Sequence, residues 1–265
     1  MISPLKITVA TVTYNAAAQI QRTIDSVAAQ DYPFIEHVIV DGNSQDGTLA
    51  AIHHYQERNS VAKVTHEINC LSEPDNGLYD AMNKALEMAT GHYIVFLNAG
   101  DTLHADNTLS SIASAITTCQ QEQGAWPAVA YGDTDLVDAN GHRIGPRRLV
   151  PPEHLTWKSF QKGMLVCHQA FYARTDLAKA HKYDLHYRFS ADFDWCIRLM
   201  RSAASARQPN VHAHCVVADY LNEGMTTRHH KASLLERFHI MCRHYGLMTT
   251  LMNHIWFCIR KTIRP

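Results

Sequence analysis

Residues 7–47, ITVATVTYNAAAQIQRTIDSVAAQDYPFIEHVIVDGNSQDG, alternate the sequence pattern of a strand with that of a helix. The β-branched run over residues 7–12 predicts a buried strand that ends in a loop at Asn15. Apolar residues then recur at helical spacing from residue 20 to 28. A second apolar strand pattern covers residues 38–40, and the turn residues that follow it end the unit.

The same alternation continues outward along the chain. A helical stretch covers residues 48–57, a weaker strand lies near 64–68, an apolar helical stripe covers 78–89, and a strand follows at 93–97. Strands that alternate with helices of about ten residues predict an α/β fold with right-handed βαβ units and a mostly parallel sheet. In such a sheet, ligands bind at the loops where the strands end.

The composition excludes several other classes of protein. The chain has 265 residues, 46% of them hydrophobic, with 24 Lys and Arg against 25 Asp and Glu. This size fits one large domain, and the charge balance leaves no excess of cations for a general nucleic-acid binder. Seven cysteines without a C-x-x-C pair argue against a disulfide framework and favour a reducing compartment. The first residues lack the layout of a secretory signal, so we expect a cytoplasmic location.

The first predicted strand-to-helix turn argues against two nucleotide-binding classes. A dinucleotide dehydrogenase or a P-loop enzyme needs glycines in this turn, because the backbone must approach phosphate groups closely. Residues 13–18, TYNAAA, contain no glycine. A dehydrogenase is therefore only a distant alternative.

Four sequence blocks at the predicted strand ends resemble one family. They are TVTYN at residues 11–15, VDGNSQDGT at 40–48, EPDNGLYDAMNK at 73–84 and FLNAGD at 96–101. In this order they resemble the family 2 glycosyltransferases, in particular the bacterial polysaccharide-assembly branch, strongly over about the first 105 residues and patchily beyond. The resemblance implies the GT-A fold, a Rossmann-like, mostly parallel sheet with helices on both faces, here with an added C-terminal helical segment.

The resemblance also implies an activity. Members of this family transfer a sugar from a nucleotide diphosphate sugar, usually with inversion and with a divalent metal, here Mn²⁺ or Mg²⁺. We expect a UDP- or GDP-linked donor and a polysaccharide or lipid-linked oligosaccharide acceptor, as in lipopolysaccharide or exopolysaccharide assembly, at the inner face of the cell membrane. Two alternatives stay open: an inactive nucleotide-sugar-binding protein of the same fold, and a nucleotidyltransferase.

By resemblance, the donor site lies on the four blocks. Asp41 matches the position that contacts the base, although an Asx turn would use the same side chain. The segment from Asn98 to Asp101 matches the metal motif, commonly D-x-D, but Asn98 and Gly100 stand where carboxylates are frequent. Asp101 is the one expected metal ligand, since a hard cation keeps phosphate oxygens and waters as its other ligands. The donor-binding set is Thr13, Tyr14, Asn15, Asp41, Asp75, Gly77, Asn98, Gly100 and Asp101.

A second group of residues belongs to the acceptor side. Inversion requires a base that takes the proton of the acceptor hydroxyl. Residues 190–195, SADFDW, begin an apolar helix and resemble the family block that carries this base, so Asp192 is the predicted catalytic residue. Asp194 has a competing structural explanation, because an acid in the first turn of a helix complements the helix dipole. The lid and acceptor set is His168, Gln169, Asp194, Arg228 and His229.

Beyond residue 105 the pattern is less regular, with strand-like stretches at 128–137 and 166–173. We divide the chain into a glycosyltransferase domain over residues 1–233, with a nucleotide-sugar-binding half (1–105) and an acceptor-binding half (106–233), and an amphipathic helical segment over 234–265. That segment combines an apolar stripe with basic residues, which is typical either of docking on the protein's own core or of peripheral membrane contact.

Two histidine pairs, His229-His230 and His212-x-His214, could be considered for a zinc site. Neither has partner ligands at a recognisable spacing, so the sequence predicts no zinc at either pair.

Overall fold

A computed structural model describes residues 4–62, 64–222 and 230–263, without the side chains of residues 230 and 258–263. Its helices and strands are β1 (Ile7–Thr13), α1 (Ile20–Ala28), β2 (Ile35–Asp41), α2 (Thr48–Ser60), β3 (Glu67–Ser72), α3 (Leu78–Met88), β4 (Tyr93–Phe96), β5 (Thr102–Leu103), α4 (Thr108–Gln123), β6 (Val129–Val137), β7 (Arg143–Pro146), β8 (Phe171–Arg174), α5 (Thr175–Ala180), α6 (Ala191–Ser205), β9 (Asn210–Leu221), α7 (His230–Tyr245) and α8 (Leu247–Ile263). Two short 3₁₀ helices, Trp157–Lys162 and His168–Ala170, lie between β7 and β8.

The strands form one sheet in the order β3-β2-β1-β4-β8-β6-β9-β5, with β7 paired to β6. The first four strands pair in parallel. Strand β8 lies between β4 and β6 and is antiparallel to both. The longest ladder of the second half, between β6 and β9, is again parallel. The expected mostly parallel α/β sheet is therefore confirmed.

Helices cover both faces of the parallel half. Successive residues of a strand point to opposite faces, and β2 shows this directly. Val38 and Val40 belong to the main hydrophobic core beneath α3, whereas Ile39 packs in a smaller cluster with Ile24 and Ile52 of α1 and α2. The carboxyl ends of β1, β2, β3 and β4 consequently meet at one edge, and the four sequence blocks lie there.

The C-terminal helices differ in how they pack. The domain boundary placed between residues 233 and 234 falls inside α7, which buries Ser233, Ile240 and Met241 against the sheet domain. In contrast, α8 leaves a row of large apolar side chains exposed. Within the described ranges, no helix is long and apolar enough to cross a membrane.

Candidate active site

A cavity of about 250 Å³ lies at the carboxyl edge of the parallel strands. Its walls come from the ends of β1 and β4, the first turn of α3, the 3₁₀ helix His168–Ala170, the start of α6 and the end of β9. Five residues of the two sequence-derived sets line it, together with the predicted catalytic residue Asp192: Tyr14, Asn98, Asp101, His168 and Gln169. The topology thus brings donor-side and acceptor-side candidates into one space.

Asp192 stands in the first turn of α6 with both carboxylate oxygens held. The Tyr79 hydroxyl donates to its Oδ1 at 3.1 Å, and His168 Nδ1 lies 3.3 Å from its Oδ2. Burial alone would raise the pKa of Asp192, but the hydrogen bond from His168 and the charge of Arg237 hold it below its ordinary value. The group is therefore a carboxylate at neutral pH, which is the form that a general base requires.

His168 connects this carboxylate to the donor side. Asn98 Nδ2 lies 3.1 Å from His168 Nε2 and can donate to it, which leaves the ring proton on Nδ1 to donate to Asp192. Burial and the charge of Asp192 raise the pKa of Tyr79 well above its ordinary value, so its hydroxyl stays protonated as a donor. The chain Asn98–His168–Asp192–Tyr79 therefore fixes the orientation of the carboxylate.

Asp101 is buried rather than exposed in a loop. Its Oδ2 accepts from Gln169 Nε2 at 2.7 Å, and its Oδ1 accepts from the Leu221 N–H at 2.9 Å. Burial raises the pKa of Asp101 to about 6, against the lowering effect of these hydrogen bonds and of nearby positive charge.

The surroundings of Asp101 suit a hard divalent cation. Asn98 Oδ1 and Gln169 Oε1 are buried without a hydrogen-bond partner among the described residues, and both residues line the same cavity as Asp101. Mn²⁺ and Mg²⁺ take carboxylate and amide oxygens together with phosphate oxygens. The oxygens of Asp101, Asn98 and Gln169 therefore fit such an ion.

Asp41 does not line this cavity, and it holds the turn that follows it through the N–H three residues on, rather than through the two-residue contact of an Asx turn. Its oxygens accept from the Ser44 N–H at 2.9 Å, from the Ser72 hydroxyl at 2.7 Å and from the Ser44 hydroxyl. These hydrogen bonds tie the end of β2 to the end of β3. A role in base recognition remains a proposal.

The other donor-side loops, near Asp41, are held by hydrogen bonds and close packing. Asn15 adopts a left-handed backbone, with φ of 46°, and its side chain accepts from the Gln45 N–H at 2.9 Å. Asp75 caps the turn at Gly77, whose φ is 112°, by accepting its N–H at 2.8 Å.

The loops after β2 and β3 also touch each other. A Cβ placed on Gly42 would lie only 2.6 Å from Asp75 Oδ2. Thr13 is buried just before Asn15, and Gly100, with φ of 102°, packs closely against Leu221.

Asp194 does not reach the cavity, which corrects its place in the acceptor set. Its side chain is wholly buried, and it accepts from Arg198 Nε at 2.6 Å and from His244 Nε2 at 2.7 Å. The pair with Arg198 lies within α6, and the contact with His244 joins α6 to α7. Burial alone would raise the pKa of Asp194, but the hydrogen bonds from His244 and Arg198 hold it below its ordinary value.

The sequence analysis did not select three residues that line the cavity or lie near it. Tyr79 lies inside the third sequence block, so its position there was an available signal. Arg188 lines the cavity, and the buried Arg237 Nε has no hydrogen-bond partner within the described ranges. Nothing in the sequence around Arg237 indicates that α7 brings its charge near Asp192. The predicted lid residues Arg228 and His229 lie outside the described residues.

Comparison with known proteins gives consistent results. The family model described as glycosyl transferase family 2 matches residues 8–179. A "PGL/p-HBAD biosynthesis glycosyltransferase" of Mycobacterium bovis is 32% identical over 209 residues, which are 78% of this chain and 73% of that protein.

Solved structures match over nearly the whole chain. S. aureus TarS 1-349 in complex with UDP-GlcNAc matches with a TM-score of 0.70 and 19% identity, over 95% of this chain and 73% of that one. The mannosyltransferase PcManGT from Pyrobaculum calidifontis, in complex with GDP-Man and Mn²⁺, matches with a TM-score of 0.63 and 20% identity, over 94% of this chain and 70% of that one. At these identities the likeness is one of fold.

Proposed function

The chain belongs to glycosyltransferase family 2 and has the GT-A fold, and from that premise we propose that it transfers a sugar with inversion from a UDP- or GDP-linked donor to a polysaccharide or lipid-linked glycan acceptor. One observation carries this proposal. The carboxylate of Asp192, oriented by His168 and Tyr79, shares a single cavity with the buried carboxylate of Asp101. The proposed base and the proposed cation-holding group would thus act in one cavity.

Each residue has a defined part in the proposed reaction. Asp192 takes the proton of the acceptor hydroxyl while that oxygen bonds to the anomeric carbon and the nucleoside diphosphate leaves with the electron pair of the broken bond. Asp101, with the amide oxygens of Asn98 and Gln169, would hold Mn²⁺ or Mg²⁺, which when bound neutralises charge on the diphosphate. Arg188 and Arg237 add positive charge near the same cavity.

A donor screen tests the proposal. We expect one class among UDP-, GDP- and dTDP-sugars to raise the melting temperature in the presence of Mn²⁺, because a ligand that binds only the native state stabilises it. The same donor should be hydrolysed or transferred. Stabilisation by a nucleoside triphosphate alone would favour the nucleotidyltransferase, and donor binding without any turnover would favour the inactive binding protein.

We also propose that α8 attaches the enzyme to a membrane surface, where a lipid-linked acceptor would lie. Met248 and Met252 are 75% and 66% exposed, and the sequence adds basic residues immediately after this face. A contiguous apolar face with an interfacial Trp and flanking cations is typical of a helix that lies in the membrane interface. The exposed row is Leu247, Met248, Leu251, Met252, Ile255 and Trp256.

Vesicle sedimentation checks this attachment. Wild-type protein should sediment with anionic phosphatidylglycerol vesicles, and the triple variant Met248→Ser, Met252→Ser, Trp256→Ser should lose most of that binding. High salt should weaken the binding only in part, since only the share due to cations is screened. The matched control is Val61→Ser with Ile144→Ser, which removes two exposed apolar residues elsewhere. Equal sedimentation of wild type and triple variant, or none by either, contradicts the proposal.

A further inference from the structure

A cluster of two imidazoles and one carboxylate lies far from the cavity that Asp101 and Asp192 line. Glu153, His212 and His214 each offer one ligand atom, and these atoms lie within 4.8 Å of one another. The two histidines stand near the start of β9, whereas Leu221 at its end contacts Asp101. At about 3.3 Å per residue, the seven to nine residues between the histidines and Leu221 span roughly 23–30 Å of strand, so the cluster is far from the donor site.

An irregularity in β9 brings the two imidazole rings next to each other, edge to face. The pairing of β6 with β9 shifts register here, from Tyr131 opposite His212 to Asp133 opposite Val216. Within this irregularity His214 adopts a left-handed backbone, with φ of 54°, which is uncommon for a residue other than glycine. The ring centroids lie 4.7 Å apart at an angle of 87°. Strained backbone of this kind is found at ligand-binding positions.

The ligand atoms lie close enough together for one metal ion to bind them. His212 Nδ1 and His214 Nδ1 lie 3.1 Å apart, whereas Glu153 Oε1 lies 3.4 Å from the other nitrogen of His214, Nε2. Because one imidazole gives a single ion only one nitrogen, the spacing that defines the site is the 4.8 Å within which one ligand atom of each residue falls. Two nitrogens bound to tetrahedral zinc are separated by roughly 3.3 Å, given bond lengths of about 2.0–2.1 Å.

We propose that Glu153, His212 and His214 form a solvent-open site for a divalent transition metal of the zinc class, separate from the donor site. Imidazole nitrogens select Zn²⁺ over Mg²⁺ or Mn²⁺, whereas the oxygens around Asp101 have the opposite preference. Glu153 is the third ligand that sequence spacing did not reveal, because it lies in the segment leading to the first 3₁₀ helix. Its backbone carbonyl accepts from the Tyr131 hydroxyl at 2.8 Å, which places it beside β9. A bound ion would fasten that segment to the sheet.

A second group within the described residues, His104, Asp135 and Asp219, fits a metal less well. Asp135 already pairs with the guanidinium of Arg143 through two hydrogen bonds. The position that a cation would take is therefore occupied by a side-chain cation. Substitution of His104 therefore serves as the control for the zinc titration, since we expect it to leave zinc binding unchanged.

Zinc titration of metal-free, full-length protein tests the proposal, with calorimetry for stoichiometry and Co²⁺ absorption for the ligand type. We expect one Zn²⁺ per chain and a rise in melting temperature. Glu153→Gln should weaken binding at least about tenfold, and His212→Gln or His214→Asn should abolish the stoichiometric site. Asparagine is chosen at 214 because it tolerates the left-handed backbone. His104→Gln and Asp101→Asn should bind zinc as the wild type does.

Three results would overturn the proposal. They are the absence of a stoichiometric site, a site that persists in both His214→Asn and Glu153→Gln, and a site lost in His104→Gln. Weak binding of several ions that none of these variants removes would show adventitious contact with some of the 18 histidines. If His212→Gln does not fold, as judged by circular dichroism, the exposed positions 153 and 214 decide the question alone.

Discussion

Asp192→Asn is expected to lower kcat by about two to four orders of magnitude while the dissociation constant of the donor stays within about threefold of the wild-type value. The new amide keeps an oxygen that accepts from the Tyr79 hydroxyl, and its NH2 can donate to His168 Nδ1 once the ring proton moves to Nε2 and the Asn98 amide turns its oxygen toward it, so the cavity keeps its shape. It has no basic oxygen for the proton of the acceptor hydroxyl. Turnover with a saturating donor, measured beside calorimetric donor binding, checks both halves of the prediction.

Asp194→Asn is the matched control for this experiment, because it makes the same change two residues further along α6. The side chain of Asp194 is wholly buried between Arg198 and His244, so its neutralisation should lower the free energy of unfolding by on the order of 3 kcal/mol and leave kcat nearly unchanged. Urea unfolding measures this loss. Because the folded-state pKa of Asp194 lies below its ordinary value, the difference between wild type and variant should shrink as the pH falls through that folded pKa. A large loss of turnover in Asp194→Asn with none in Asp192→Asn would exchange the two roles.

The parallel half of the fold was predictable because its signals are local. The strands β1, β2 and β4 are short, mostly apolar and buried runs, each is followed by turn residues, and helix α3 carries a clear apolar stripe. The β3 strand was placed a few residues too early, since its residues are only half-buried and its hydrophobic pattern is weak.

The second half was less predictable because its pairings are long-range. The strand β9 gave no clear signal, since His212 and His214 interrupt its apolar pattern and its bulge breaks the alternation. The strand expected at 166–173 begins in fact with the 3₁₀ helix His168–Ala170. This turn directs His168 toward Asp192 and Gln169 toward Asp101, so a departure from the regular pattern coincides with the candidate site.

The contacts within the site also lie beyond what a sequence pattern indicates. Tyr79 and Asp192 are 113 residues apart in the chain and share a hydrogen bond. Motif blocks identified Asp192 and Asp101 individually, but only the sheet topology explains why both face one cavity. The same topology explains why Asp194, two residues from Asp192 on the helix, points away from that cavity.

Asp101→Asn is expected to remove most of the gain in donor affinity that Mn²⁺ produces, an effect on the order of 100-fold. Replacing residues that merely orient metal ligands already weakens metal binding by about 10- to 100-fold, and Asp101 is proposed to touch the metal itself. Asparagine is preferable to alanine, because alanine would leave the Leu221 N–H and the Gln169 amide buried and unpaired, at about 1–3 kcal/mol each. In Asp101→Asn the oxygen still accepts from Leu221, and the amide can donate to Gln169 Oε1 once the Gln169 amide rotates.

Calorimetric titration of UDP and GDP, with and without Mn²⁺, measures that gain directly. Asp106→Asn makes the same change at an exposed position five residues further on and should keep the full effect of the metal. An equal melting temperature for Asp101→Asn and wild type without ligand would show that the buried hydrogen bonds have been replaced. A variant that is folded by this criterion and retains the whole Mn²⁺-dependent gain would exclude Asp101 as the ligand, and the cation would then have to rely on the amide oxygens of Asn98 and Gln169 alone.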